Sequence, residues 1–307
     1  MIKLILLIFL SIFAIAKGTI AGSVIENRAT VKVKLQNSIV ESQSNKDTFV
    51  VDQIVDIKLS WQDSSEVAVA SGEKDRVLTF EVSNIGNKRD TVTLEHIDNG
   101  GNSFSKKPTN VRIYKDTNGN GVWDENDIKV SKVTLNEDSN TTLFLVSDIQ
   151  EDNYNVNDKD DEGIKAISKS SNSSGNDNKD KIDTVVRNKN AQDYGTYIIR
   201  DYWLETLKSS KIESEDNKTH TGSVIEYKIE LKIGGSNTNK EITDIKLKDA
   251  IPNGTTYING SLKLNGTTLS DAKDGDAGYF ENNTIWVSIL KIKNSETKEV
   301  LFKVKVN

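Results

Sequence analysis

The 307-residue chain has no cysteine and only two histidines, His96 and His220, far apart. Without cysteine there can be no disulfide, so order must come from sheet packing and from ions. Two isolated imidazoles also leave out the ligand set of a zinc site. No Gly-x-Ser-x-Gly, no Cys/His pair and no phosphate-cradling glycine loop is found. Of the common catalytic chemistries, only paired carboxylates of the glycosidase kind remain open, and acids spread over turns read instead as a solvated surface. Basic excess is missing too: 46 acidic against 40 basic residues give −6. An acidic chain is a poor ligand for nucleic acid, whose phosphates recruit basic surfaces.

Long apolar runs are confined to residues 1–16, MIKLILLIFLSIFAIA. One basic residue, Lys3, precedes the run and the small-x-small triplet Ala14-Ile15-Ala16 closes it, which predicts a secretory signal peptide cut before Lys17. The run is short of the roughly 20 residues a membrane span needs. Setting this segment aside removes Lys3 and no acid, so the net charge becomes −7. The expected location is secreted or at the cell surface, periplasm and outer envelope included, with no span after cleavage. No lipidation cysteine or sorting tail follows, so attachment is expected to be non-covalent or through a partner.

What is present is alternation. Val55, Ile57, Leu59 and Trp61, then Leu78, Phe80 and Val82, then Val92 and Leu94 recur at period two, with Asn84-Ile85-Gly86-Asn87 as a turn. Later come Ile225 to Ile233, Ile285 to Ile289 and Val300 to Val306 in the same phase. Short, regularly spaced strands without a convincing helical stretch predict an all-β chain of tandem antiparallel β-sandwiches. Length suggests about two domains at roughly 100–200 residues each. The predicted divisions are a signal peptide (1–16), an N-terminal β-hairpin (17–52), a β-sandwich (53–170), a polar linker (171–196) and a last sandwich (197–307). In the hairpin, Gly22 to Leu35, which ends in the alternation Ala29, Val31, Val33, Leu35, is expected to pair with Asp47 to Val51. GSVIEN at 22–27 is nearly repeated by GSVIEY at 222–227.

The one stretch with ligand spacing is Asp116 to Asp127, DTNGNGVWDEND. With Asp116 as position 1, Asn118 and Asn120 stand at 3 and 5, Gly121 at 6, Val122 at 7, Asp124 at 9 and Asp127 at 12, the order of a calcium loop. Asp116, Asn118, Asn120, Asp124 and Asp127, with the Val122 carbonyl and a water, could supply the six to eight oxygens calcium takes. Position 12 is Asp where the helical version prefers Glu, so the last arm is shorter. Here the flanks alternate like strands, so the loop tips a β-hairpin, and a loop this long calls for an ordering agent. The alternative is an Asn/Gly-rich turn without metal. Asp158, Asp160, Glu162 and Gly163 mimic the start of a second such loop, but Ala166 and Lys169 occupy its positions 9 and 12. That stretch reads as a solvated acidic loop, and His96 as a satisfied or exposed surface histidine.

Thr221 to Tyr227, Ile242-Thr243-Asp244-Ile245, Asp249 to Tyr257 and Gly260-Ser261-Leu262 resemble the conserved-repeat domain known as domain of unknown function eleven. The resemblance covers about residues 200–307, with Pro252 and Gly254 at the family's turn positions. It implies a seven-stranded Ig-like sandwich of bacterial and archaeal surface proteins. The middle unit, with VRIYKDTNGNGVWDENDI, resembles a companion module that precedes such repeats in exported proteins. The family continues into a final Asn-x-Ala-x-Val strand that this sequence lacks after Phe302-Lys303-Val304, while Asn27 to Val31 carries that motif. An open edge beside Thr297 to Val306 is therefore expected, inviting strand addition by the N-terminal hairpin or a second copy; the alternative is that residues 20–52 extend the middle sandwich. The functional expectation is a non-enzymatic, calcium-stabilised structural or adhesive protein whose partners are envelope or extracellular proteins or glycans. The alternative is a carbohydrate-binding module, motivated by Trp286, which alternates away from Ile285 and Val287; its competing reading is a cross-strand cover.

Overall fold

The computed structural model describes residues 18–35, 38–100, 103–171, 179–213, 218–235, 240–294 and 296–307. The expected signal peptide lies outside them, as do residues 172–178 of the expected linker. Among the described residues every regular element is a strand. None is a helix long and apolar enough to cross a membrane.

The middle unit stacks two sheets. One runs Ile128–Lys129, Thr109–Lys115, Ser139–Asp148, Arg76–Asn84, Gln53–Trp61, Thr184–Asn188, and the other Lys132–Leu135, Asp90–Asp98, Lys159–Ser168, Asn190–Ile199, Val67–Val69. Period-two alternation sends every second side chain inward, so Leu78, Phe80 and Val82 are fully buried and meet Ile57, Leu94, Leu143 and Ile164 in one core. Each such side chain contributes about 1.5–3 kcal/mol when removed from water. Two edge pairings, Thr184–Asn188 on Gln53–Trp61 and Asn190–Ile199 on Val67–Val69, are parallel rather than antiparallel.

Those strands redraw a boundary. Residues 184–196, expected in the linker, are sheet, and Tyr197, expected to open the last unit, is wholly buried in the middle core. Its hydroxyl donates to the Arg76 carbonyl at 2.9 Å and meets Ser147 Oγ at 2.8 Å. The junction falls at residues 200–202, between the strands Asn190–Ile199 and Trp203–Ile212.

The last unit pairs a sheet ordered Trp203–Ile212, Val224–Gly234, Thr297–Val306, Lys263–Leu264, Thr267–Thr268 with a second sheet Glu241–Ala250, Thr284–Lys293, Gly278–Glu281. Its core is separate, built on Ile229, Leu231, Ile285, Val287, Val300, Phe302 and Val304. The open edge expected beside Thr297–Val306 is not there. That strand is interior, flanked by Val224–Gly234 on one side and by Thr255–Tyr257 and Lys263–Leu264 on the other. The unforeseen strand Trp203–Ile212 stands at one end of that sheet, and Thr267–Thr268 at the other.

The N-terminal segment forms two separate pairs, Val24–Asn27 with Asp47–Val50 and Thr30–Leu35 with Ser38–Gln43. Of the stretch 22–35 expected to pair with 47–51, residues 24–27 do so, while 30–35 pair instead with 38–43, nearer in sequence and so closed at a smaller entropy cost. Ala21 N–H donates to the Asn87 carbonyl at 3.0 Å, Val50 N–H to the Lys179 carbonyl at 2.8 Å, and Asn87 Nδ2 to the Thr19 and Asp52 carbonyls. The segment is thus fastened to the middle sandwich.

Candidate functional site

The 116–127 loop sits at a corner where the chain changes sheets. Ile128–Lys129 pairs with Tyr114 and Lys115 in one sheet, and Lys132–Leu135 then joins Asp90–Asp98 in the other. Trp123 packs edge-on against Tyr114, with ring centroids 5.6 Å apart, and seats the loop on its strand. Gly119 and Gly121 have φ of 71° and 73°, a left-handed backbone that suits glycine.

Asp116 and Asp127 are both only 8% exposed although they flank a surface turn. Asp116 accepts from Gly119 N–H at 2.7 Å and Gly121 N–H at 2.9 Å, and Asp127 from Thr117 N–H at 3.1 Å and Asp124 N–H at 2.9 Å. Asn118 Oδ1 accepts from Asn120 N–H and Asn120 Oδ1 from Val122 N–H, while both side-chain amides donate to Asp124 Oδ2 at 3.0 and 2.7 Å. The Asn126 N–H holds the Asp124 carboxyl below the usual range, opposed by burial and helped by the side-chain amides of Asn118, Asn120 and Asn126. The loop is therefore wrapped around its own Asx side chains, which matches the donor chemistry of a calcium ion: carboxylate and amide oxygens, no nitrogen or sulfur. Among the described residues no three His, Asp or Glu side chains converge closely enough to hold a metal by themselves. A cation held here would need Asn118, Asn120 and the Val122 carbonyl beside the carboxylates of Asp116, Asp124 and Asp127.

The stretch read as a second, solvated acidic loop is instead the strand Lys159–Ser168, with Asp160 and Glu162 at 0% and 1% exposure. They share the inward face with Ile164 and Ala166. Glu162 is ion-paired with His96, and Lys107 Nζ lies 3.1 Å from both Asp98 Oδ1 and Asp160 Oδ1. Asp160 Oδ2 is buried without a hydrogen-bond partner. Burial, then the hydrogen bond and charge of Glu162, push the Asp160 carboxyl up to about 7 against the pull of Lys107. Extending the alternation of Ile164 and Ala166 back by two and four residues places both acids inside, and that signal was available in the sequence.

Trp286 stands on the outer sheet face, where its cross-strand neighbour Tyr279 lies nearly parallel at 6.1 Å and 11°. It covers that face, as its competing reading expected. A cleft of about 760 Å³ separates the two sandwiches, lined by Arg76, Trp203, Glu205 and the loop-tip residue Val122 among others.

No family model matches the chain, and no curated protein emerges as a relative. The likeness of residues 200–307 to the conserved-repeat domain is thus carried by the quoted residues alone. Among solved structures the chain is similar to BspA_C_WT, at 10% identity over 81% of this chain and 91% of that one, TM-score 0.26. It is also similar to the secreted serine protease VesC from Vibrio cholerae, at 8% identity over 81% and 47%, TM-score 0.25. A Corynebacterium diphtheriae protein described as membrane anchored gives 10% identity over 92% and 89%, TM-score 0.24. Likeness at this level says nothing about function.

Proposed function

We propose that this chain is an exported, non-enzymatic structural or adhesive protein of the cell surface or extracellular space, with calcium bound at the 116–127 loop. The observation that supports this most is the loop itself: Asp116, Asn118, Asn120, Asp124 and Asp127 follow calcium-loop order, and their side chains are gathered by loop hydrogen bonds at the tip of a short strand pair. The ion's chemistry is charge neutralisation of three carboxylates, and its consequence is a rigid corner between two sheets. Its partners are envelope proteins or glycans. One terminal strand available to strand addition is Trp203–Ile212, on which Lys211 discourages indiscriminate pairing.

Extracellular sites of this kind bind calcium with dissociation constants of about 0.1–1 mM. Calorimetric titration of the chain with calcium should give one site in that range, and Asp116→Ala should remove it. Absence of binding heat up to several times that concentration would refute the calcium part of the reading.

A further inference from the structure

The side chains of Lys107, Asp160 and Glu162 are arranged for a condensation that the calcium loop has no part in. We propose that Lys107 Nζ and Asp160 Cγ become joined by an amide bond within the folded chain, with Glu162 receiving the proton.

Three features carry this. First, the reacting groups are already in contact, with Nζ 3.1 Å from Asp160 Oδ1. The lysine is positioned from its backbone: Phe104 and Pro108 are buried on either side of it, and Gln150 Nε2 donates to the Lys107 carbonyl at 2.7 Å. Groups held like this react as if at concentrations of about 10⁵–10⁸ M, which is what turns an unfavourable condensation in water into a feasible one.

Second, the environment makes Asp160 an electrophile and leaves Asp98 inert. A carboxylate anion resists attack at its carbon, whereas a neutral carboxylic acid accepts it. Asp160 is fully buried, its Oδ2 lacks a partner, and burial and Glu162 raise its carboxyl to about 7, so that the acid form is populated at neutral pH. Asp98 touches the same ammonium but is about one-third exposed. Partial burial pushes its carboxyl up, yet the Gly100 N–H and Lys107 outweigh this and keep it ionised.

Third, a proton acceptor stands beside the reacting pair. Glu162 is 1% exposed, two residues from Asp160 on the same strand face, and its other contact is His96. In the step, the ammonium gives up a proton, the freed Nζ lone pair adds to Cγ, the C–OH bond breaks and the hydroxyl leaves as water. One N–C bond replaces one C–O bond, and the surplus proton rests on Glu162. No oxidant, nucleotide or metal is consumed. Lys107 is 42% exposed on its outer side, so the water has a short way out. The product ties the connection before Thr109–Lys115 to the strand Lys159–Ser168, a covalent brace in a chain that has no disulfide.

The test is the intact mass of the purified chain, measured after denaturation. The expected mass is one water below that of the same polypeptide, and digestion should release a branched peptide containing Lys107 and Asp160. Glu162→Gln keeps the side chain's shape and removes the proton acceptor, so it should restore full mass while the circular dichroism stays that of the parent. Lys107→Arg should do the same. A folded parent chain at full mass after prolonged incubation at neutral pH would overturn the proposal. A water loss mapped to other residues, or one that persists in Lys107→Arg, would do so equally.

Discussion

His96 joins solvent to core, with its ring partly exposed and its Nε2 on the buried Glu162. The Glu162 hydrogen bond raises its affinity for a proton above that of a free imidazole, against an opposing effect of burial and with help from the charges of Glu162, Asp98 and Asp160. A histidine pKa raised on folding contributes stability that is complete below the unfolded value of about 6.5 and is lost as pH climbs through the folded value. Melting of the middle sandwich should therefore weaken as pH climbs above about 6.5, the free imidazole value. Asp160, raised to about 7, adds a loss of the same sign at lower pH, from the free carboxylate range up to that value, for as long as its carboxyl is free. His96→Gln should make the slope shallower, and an unchanged slope would show that this pair does not set it. At this scale the sequence was only partly legible. Asp116 to Asp127 announced themselves because their ligand types recur at fixed offsets, whereas Asp160 and Glu162 hid in a run of acids. Their inward phase can be read from Ile164 and Ala166, but the partners that make their burial tolerable, His96 and Lys107, lie in no local window.

The turn Asn84-Ile85-Gly86-Asn87 shows what a connecting element can do besides reversing the chain. Asn84 is 1% exposed, accepts from Gly86 N–H at 3.0 Å and donates to the Lys88 and Asn136 carbonyls, while Asn87 fastens residues 19 and 52. A Cβ on Gly86 would come within 2.2 Å of the Ile54 carbonyl oxygen, so the turn must press its backbone onto the neighbouring strand. Gly86→Ala is expected to cost about 1–3 kcal/mol through overpacking, read as a lower urea midpoint; an unaffected midpoint would mean that the contact relaxes freely. The near-repeat of GSVIE has a structural counterpart. Gly22 N–H donates to the Val51 carbonyl and Val51 N–H to the Ser23 carbonyl, and Gly222, Val306 and Ser223 repeat the same pair of bonds. Both glycines have positive φ, 87° and 93°. Strands with clean alternation, such as Arg76–Asn84 and Val224–Gly234, were readable from sequence. Trp203–Ile212 was not, because most of its residues are exposed and little apolar periodicity survives on an edge. Thr184–Asn188 escaped for a related reason, since a short parallel edge strand needs only one covered face.

Across the whole molecule, two separate cores meet at a thin junction. Arg76 lies 5.3 Å over the Trp203 ring and 3.5 Å from Glu205, bridging the cleft between the sandwiches. Since the last unit has its own core of Ile229, Phe302 and their neighbours, a fragment of residues 202–307 should fold alone, with a cooperative melt and strand-type circular dichroism. A fragment that stays unfolded would mean that the junction contributes more than its few contacts suggest. The middle unit bears the loop proposed to bind calcium, and there linkage supplies the magnitude. At about 1 mM calcium and a dissociation constant near 0.1 mM, binding adds roughly 1.4 kcal/mol. The decisive measurement is thermal melting of the full chain with calcium and with a chelator, alongside Asp116→Ala. The predicted result is a transition of the parent chain that moves to lower temperature on chelation, with the variant low and indifferent to calcium. A parent melting temperature unchanged by chelator and equal to that of the variant would contradict calcium stabilisation outright.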